Sequence, residues 1–530
     1  MARRAAFGGV TIIIALAGAG PAFGETPGEV YRTVIGAGSN YEYGRDVAID
    51  QNGDAFVLGY TDQDDSFGDA VVAKLSPEGE VLFQVMIGGT GLDVAGGIAL
   101  DANGDVYIAG RTLSGDFPVM NAIQPTLHGP ADAFLTKISG QDGSIMMSTF
   151  LGGARGDDGY DVAIAPDGSI VIVGGTESID FPTVNPIQGS LTLIDCFCDD
   201  VFVTRLGPDA QTITFSTYLG GTYTDSARQV GVDAAGRIYV AGQTDSPNFP
   251  LANAAHSSLG GGDTDVFAFA IDPDAGQLIY STYLGGEDLE YVWDMDVSAD
   301  GKATMTGTTR SIFFPTTPDA YEPNFVGAPG GCGGGAYIPI RNCDDGFVVT
   351  LEADGTQSMG TFLGGLNDDD LRALAVAPDG RIRVAGNGSN GFPGEDFVPN
   401  PIPTPHAVFT ELSADGSTLN FTARIDTNTP GSGHGLAVGA DGETVFAGAV
   451  GIPTGPNMIQ RDLLIVELGT ADACAADMAA PEGVLDFSDV TAFLAAFVAM
   501  DPIADMSEPF GQFDFSDVTS FLAAFAGGCP

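Results

Sequence analysis

The chain has 530 residues, with 19 Lys and Arg against 70 Asp and Glu and a formal net charge of −51. Binding a nucleic acid by counterion release needs clustered basic side chains, and so acidic a chain offers few to a phosphate backbone or an anionic membrane. Hydrophobic residues make up 44%, enough for a large core, and the 76 glycines follow no collagen period.

At the N-terminus, Arg3 and Arg4 precede an apolar run from Val10 to Ala17 and then small residues through Gly24. A basic start, a short apolar core and a small-residue cleavage site predict a secretory signal peptide over residues 1–24, with cleavage after Gly24 or Ala22. The apolar run is too short to span a bilayer, and no later stretch is long and uncharged enough to be a transmembrane segment. The mature protein is therefore expected to be secreted or at the cell surface. In that oxidising compartment the six cysteines favour disulfides, Cys332 with Cys343 and Cys474 with Cys529. Cys196 and Cys198 stand two residues apart, where a direct bridge would be strained, and their pairing stays open.

From there the chain repeats itself. Thr149-Phe150-Leu151-Gly152-Gly153 recurs as Thr217–Gly221, Thr282–Gly286 and Thr361–Gly365, with weaker copies at Ile35, Ile87 and Ile425. Positions 35, 87, 151, 219, 284, 363 and 425 mark seven units that differ mainly in one loop. Each unit reads as four short strands, in the third Met147–Leu151, Asp161–Ala165, Ser169–Gly174 and Val201–Leu206. The second and third strands are joined by a turn ending in Gly, at 53, 104, 168, 236, 301, 380 and 442, mostly as Asn-Gly or Asp-Gly. Such pairs supply the positive φ of a tight hairpin. The pattern predicts an all-β fold over residues 25–469, a seven-bladed β-propeller of four-stranded blades. Innermost strands converge on the axis and want small residues; Ala48, Ala99, Ala163, Gly231, Ala375 and Ala437 comply and Asp296 does not. Each unit opens with an outermost strand, so Tyr31–Gly36 should pair with Leu463–Leu468 and close the ring.

These residues resemble the bacterial propeller proteins built of SBBP repeats. The likeness is carried by Ser216–Gly221, Ser281–Gly286, the Gly turns, Phe117-Pro118, Phe181-Pro182, Phe249-Pro250, Phe314-Pro315 and Asp132-Ala133-Phe134, and covers residues 31–468. It implies the propeller fold and no single catalytic activity.

After Leu468 the composition changes. Asp477–Phe497 is repeated at an offset of 28 as Asp505–Phe525. Val490, Phe493, Leu494 and Phe497 fall at i, i+3, i+4 and i+7, which predicts an amphipathic helix after each acidic loop. The tandem resembles a dockerin, and with Gly528-Cys529 at its end, the variant module of planctomycete secreted proteins. The resemblance implies a small α-helical domain over 470–530 that docks on a cohesin-like or envelope protein. It also implies calcium on Asp477, Glu482, Asp486 and Asp489 in the first loop and Asp505, Asp514 and Asp517 in the second. Asp477 stands one residue too early, and Phe510 replaces a ligand, so two metal-free helical hairpins stay open as the alternative.

Within the propeller, Asp46, Asp161 and Asp294 occupy equivalent positions at the start of the innermost strands. They are expected to ring one mouth of the channel, close to Tyr291, where they could bind a cation or act as an acid/base pair. The alternative is a set of solvated acidic loops that also includes Asp157, Asp158, Glu287, Asp288, Glu290, Asp368, Asp369 and Asp370. Asp69, Asp132, Asp200, Asp265 and Asp345 precede a third strand, where bonding to the local backbone explains them. His128, His256, His406 and His434 are scattered and suit no multi-histidine metal site. The reading is a binding or scaffold protein with a carbohydrate or protein ligand on the long-loop face. Its rival is a secreted propeller enzyme of polysaccharide degradation, against which stand the lone Trp and the few histidines.

Overall fold

Each Gly turn closes a hairpin as its sequence requires: Gly53, Gly104, Gly168, Gly236, Gly301, Gly380 and Gly442 have φ between +77° and +91°. A side chain there would be strained. The computed structural model describes the chain between residues 29 and 468, except residues 36–40, 63–67, 193–197, 263, 328–331, 333–340, 390, 395–405, 426–430, 440–441 and 456–457.

Six blades are built from four consecutive antiparallel strands each. The third blade runs Asp157–Ile164, Ile170–Thr176, Asp200–Leu206 and Ile213–Leu219 from the axis outward. The innermost strands of the six are Tyr41–Ile49, Asp93–Leu100, Asp157–Ile164, Asp225–Val232, Glu290–Val297 and Asp370–Val376. The remaining four-stranded sheet is composite. Gly431–Val438, Thr444–Gly455 and Met458–Leu468 are completed by Glu29–Ile35, which pairs from Glu29 with Leu468 to Ile35 with Leu463. The expectation of seven blades and an α-helical domain is therefore corrected to an all-β propeller with six blades of consecutive strands, the sheet left over being assembled from both ends of the repeat region. No helix occurs among the described residues, and residues 470–530 lie outside them. The pairing foreseen for Tyr31–Gly36 is found over Tyr31–Ile35, Gly36 lying outside the described residues.

The recurring motifs are packing devices. Phe117, Phe181, Phe249 and Phe314 are each 3% exposed. They lie against Phe134, Phe202, Phe267 and Phe347, with ring centroids 4.7, 4.6, 4.6 and 4.5 Å apart. The Phe-Pro step thus pins each long loop onto the third strand of its own blade. Asp157 is buried where its strand begins and accepts from Thr176 Oγ1, from Ser178 Oγ at 2.9 Å and from Gly153 N at 2.7 Å. Asp93, Asp225 and Asp369 are held alike by Ser114, Ser246 and Ser389 and by the glycine nitrogen four residues earlier. These carboxylates and Glu290 are buried rather than solvated. Burial pushes Asp157 and Asp225 up to about 7, and Asp369 and Glu290 up to about 8.

Asp132 accepts from His128 N and Gly129 N, Asp200 from Thr192 N, Asp265 from Gly260 N, and Asp345 from Val326 N and Gly327 N, so the expected local backbone bonding is found at these four. Cys332 and Cys343 form a disulfide. Cys474 and Cys529, and Cys196, lie outside the described residues.

Candidate functional site at the mouth of the axial channel

An innermost strand has one free edge, whose N–H groups face the axis without a ladder partner. The sequence meets this need with carboxylates. Asp46 Oδ2 accepts from Ile98 N at 3.0 Å, Asp161 Oδ2 from Val230 N at 2.8 Å and Asp294 Oδ2 from Leu374 N at 2.6 Å. Each bond links a blade to the next, first to second, third to fourth and fifth to sixth. The other oxygen of each takes the N–H of the following residue at 2.8 Å. Asp296, the exception among the small residues, does the same to Val376 N at 2.8 Å.

The structure brings Asp46, Asp161 and Asp294 together as expected, in the wall of an axial cavity of about 270 Å³ that also includes Gln229 and Asp296. Burial and mutual repulsion hold Asp161 and Asp294 well above the usual carboxylate range, and burial raises Asp46 to about 6. Tyr291 is not in the cavity wall; its ring centroid lies 5.7 Å from that of Trp293. The residues expected to hold metal, Asp477, Glu482, Asp486, Asp489, Asp505, Asp514 and Asp517, lie outside the described residues.

Pattern reading missed the residue just before each of these positions. Every innermost strand carries a bulge, and the residue it extrudes is Arg45, Gly96, Tyr160, Arg228, Trp293, Arg372 or His434 in turn. A bulge re-aims a side chain. Here the seven bulges surround the cavity on the side of the long loops, since the wall begins one or two residues further along each strand. Around the ring the order is Arg, Gly, Tyr, Arg, Trp, Arg, His, so cations alternate with aromatic rings. The Arg228 guanidinium sits 4.3 Å from the Tyr160 centroid and that of Arg372 5.2 Å from Trp293. Arg372 Nη1 donates to His434 Nδ1 at 3.3 Å, which places the lone pair on that nitrogen. His434 belongs to the innermost strand Gly431–Val438. A side chain at Gly96 would run into the backbone of Tyr160, and Arg45 Nε donates to Gly96 O at 3.4 Å.

The charge here is cancelled only in part. Arg372 pairs with Asp370. Arg45 and Arg228 form no ion pair among the described residues, and burial together with the like charge of Arg228 holds the Arg45 guanidinium below its usual pKa. Asp158 and Asp199 lie within electrostatic reach of Arg228, and Arg111 is the direct partner of Asp158. Arg228 Nε is held by Gln243 Oε1 at 2.7 Å, Gln229 Nε2 by Trp293 O at 2.9 Å and Trp293 Nε1 by Thr308 Oγ1 at 3.0 Å, so the ring is braced. The signal was in the sequence: aligning the units in this column alone collects three arginines and the single Trp of the chain.

No helix among the described residues is long and apolar enough to cross a membrane. The family profile "SBBP: Beta-propeller repeat" matches residues 214–250, one repeat of the chain. No curated protein sequence matches. Among solved structures the chain is similar to a Dyadobacter fermentans protein of unknown function, at 11% identity and a TM-score of 0.39, covering 83% of this chain and 98% of that one. It is similar to the Pan2 WD40 domain of Neurospora crassa at 8% and 0.43, covering 81% and 89%. It is also similar to the quinohemoprotein alcohol dehydrogenase of Comamonas testosteroni at 10% and 0.37, covering 90% and 82%. Likenesses this distant carry no argument about activity. With its repeats, its sheets and one matching repeat profile, the chain is a β-propeller repeat protein.

Proposed function

We propose that this protein is an exported ligand-binding propeller, held at the cell surface or in an extracellular complex through residues 470–530. Its ligand, a carbohydrate or a protein, meets the mouth of the axial channel. The observation that carries the reading is the bulge ring, which gathers Arg45, Arg228, Arg372 and Trp293 around one opening of a chain with net charge −51. Rigid strands carry these side chains, which suits recognition. The terminal module supplies attachment to a cohesin-like or envelope partner, with calcium on its acidic loops. The enzymatic rival is less well supported, because the oxygens of Asp46, Asp161 and Asp294 are each committed to a backbone N–H and hold the blades together.

Trp293 is the only Trp in the chain, so its fluorescence reports on this mouth alone. The full chain is titrated calorimetrically and by fluorescence with neutral glycans, acidic glycans and acidic peptides. Saturable binding accompanied by a change at Trp293 supports the reading; binding that leaves Trp293 unchanged, or no binding in any class, overturns it. Deleting residues 470–530 should release the protein from the envelope without altering ligand affinity.

A further inference from the structure

Resting on that reading, we propose that the axial mouth recognises a uronate residue, a sugar ring bearing a carboxylate, in an acidic saccharide. Three features of the site each select one part of such a ligand. First, Arg45 and Arg228 are two guanidiniums of the bulge ring that form no ion pair among the described residues. A planar donor fork matches a carboxylate, and two such forks at one rim suit an anionic group. Second, Tyr160 and Trp293 alternate with the arginines, and Tyr291 packs beside Trp293. Flat aromatic surface at a rim suits the apolar face of a pyranose ring better than it suits an extended acidic peptide. Third, beneath the rim the wall carries Asp46, Asp161, Asp294 and Gln229. Each carboxylate oxygen there accepts one N–H and retains a second lone pair for a hydroxyl donor. The guanidiniums stand at the rim and the hydrogen-bonding groups beneath it, so the negative group of the ligand is held at the rim while its hydroxyls face the cavity. The cavity, about 270 Å³, is smaller than the usual range for drug-sized ligands, which fits one sugar unit entering from a chain laid across the mouth.

The test uses the full chain and matched probes: oligogalacturonate, the same oligomer carboxyl-reduced to the neutral sugar, a sulfated oligosaccharide of equal length, and oligoglutamate. Oligogalacturonate should bind with a change in Trp293 fluorescence, and reduction of its carboxyls should weaken binding at least tenfold. Arg45→Gln and Arg228→Gln should each weaken it about tenfold and reduce its dependence on ionic strength, whereas Lys302→Gln on the opposite face should leave it unchanged. Equal binding of the reduced oligomer with the Trp293 change retained would overturn the uronate assignment while leaving a ligand site at the mouth. Preference for the sulfated probe or for oligoglutamate would replace uronate by that class and equally overturn it. Loss of every response at Trp293 would count against the mouth as a site of any kind.

Discussion

Asp161 and Val230 stand 69 positions apart in the chain and meet at 2.8 Å, carboxylate to amide, across the junction of the third and fourth blades. The bond satisfies an edge N–H that no strand can reach. Replacing Asp161 by Ala leaves Val162 N and Val230 N unpaired, and a buried amide without an acceptor costs about 1–3 kcal/mol. Asp161→Asn keeps one carbonyl oxygen for two donors and should lose about half as much. Denaturant midpoints of the two variants check the order; equal stability of wild type and Asp161→Ala would remove the bond from the account of blade closure.

The buried carboxylates at the strand starts set a pH dependence. Asp157 and Asp225 stand at about 7, and Glu290 and Asp369 at about 8, all above their unfolded values, chiefly through burial. The folded state therefore binds more protons than the unfolded one across this range, and stability is expected to fall as pH rises through 7 to 8 and to be regained towards pH 5. One group contributes at most about 1.4 kcal/mol per pH unit. Thermal unfolding of the wild type between pH 5 and pH 9 measures the slope, and Asp225→Asn should flatten it. A melting temperature that rises with pH over that interval would contradict the assignment.

Phe249 is 3% exposed and stacks on Phe267 at 4.6 Å. Phe249→Ala opens a cavity between loop and blade, and losses of about 3–5 kcal/mol are usual for such a change. Phe313, 74% exposed next to the equivalent Phe314, is the control: Phe313→Ala should stay within about 0.5 kcal/mol of wild type. Calorimetric melting of the pair separates the motif residue from its neighbour.

Deleting residues 25–37 removes Glu29–Ile35, the partner of Met458–Leu468. The composite sheet would keep three strands and expose an unpaired edge. A sharp drop in melting temperature and concentration-dependent association by light scattering are expected. A deletion variant as stable and as monomeric as the parent would mean that the ring does not depend on this closure.

The repeat period, the strand-turn-strand rhythm and the closure by the N-terminal strand were all determined by the sequence, because each rests on local chemistry repeated many times. A Gly at positive φ, an alternating strand and a Phe-Pro step mean the same thing in every unit, and the phase of the repeat decides which strand is missing. The same pattern could not reveal that Asp157 and Asp369 are buried while Asp116 is not, since burial depends on how the glycine pairs and Ser side chains fold around each acid. Nor could it tell that Asp46, Asp161 and Asp294 serve a neighbouring blade, for their partners are 52, 69 and 80 residues away. The bulge ring is the clearest case. Aligned by unit its column holds three arginines among Gly, Tyr, Trp and His, a mixture that no recurring motif marks, and only the convergence of the innermost strands on one axis gathers Arg45, Tyr160, Arg228, Trp293, Arg372 and His434 around one opening.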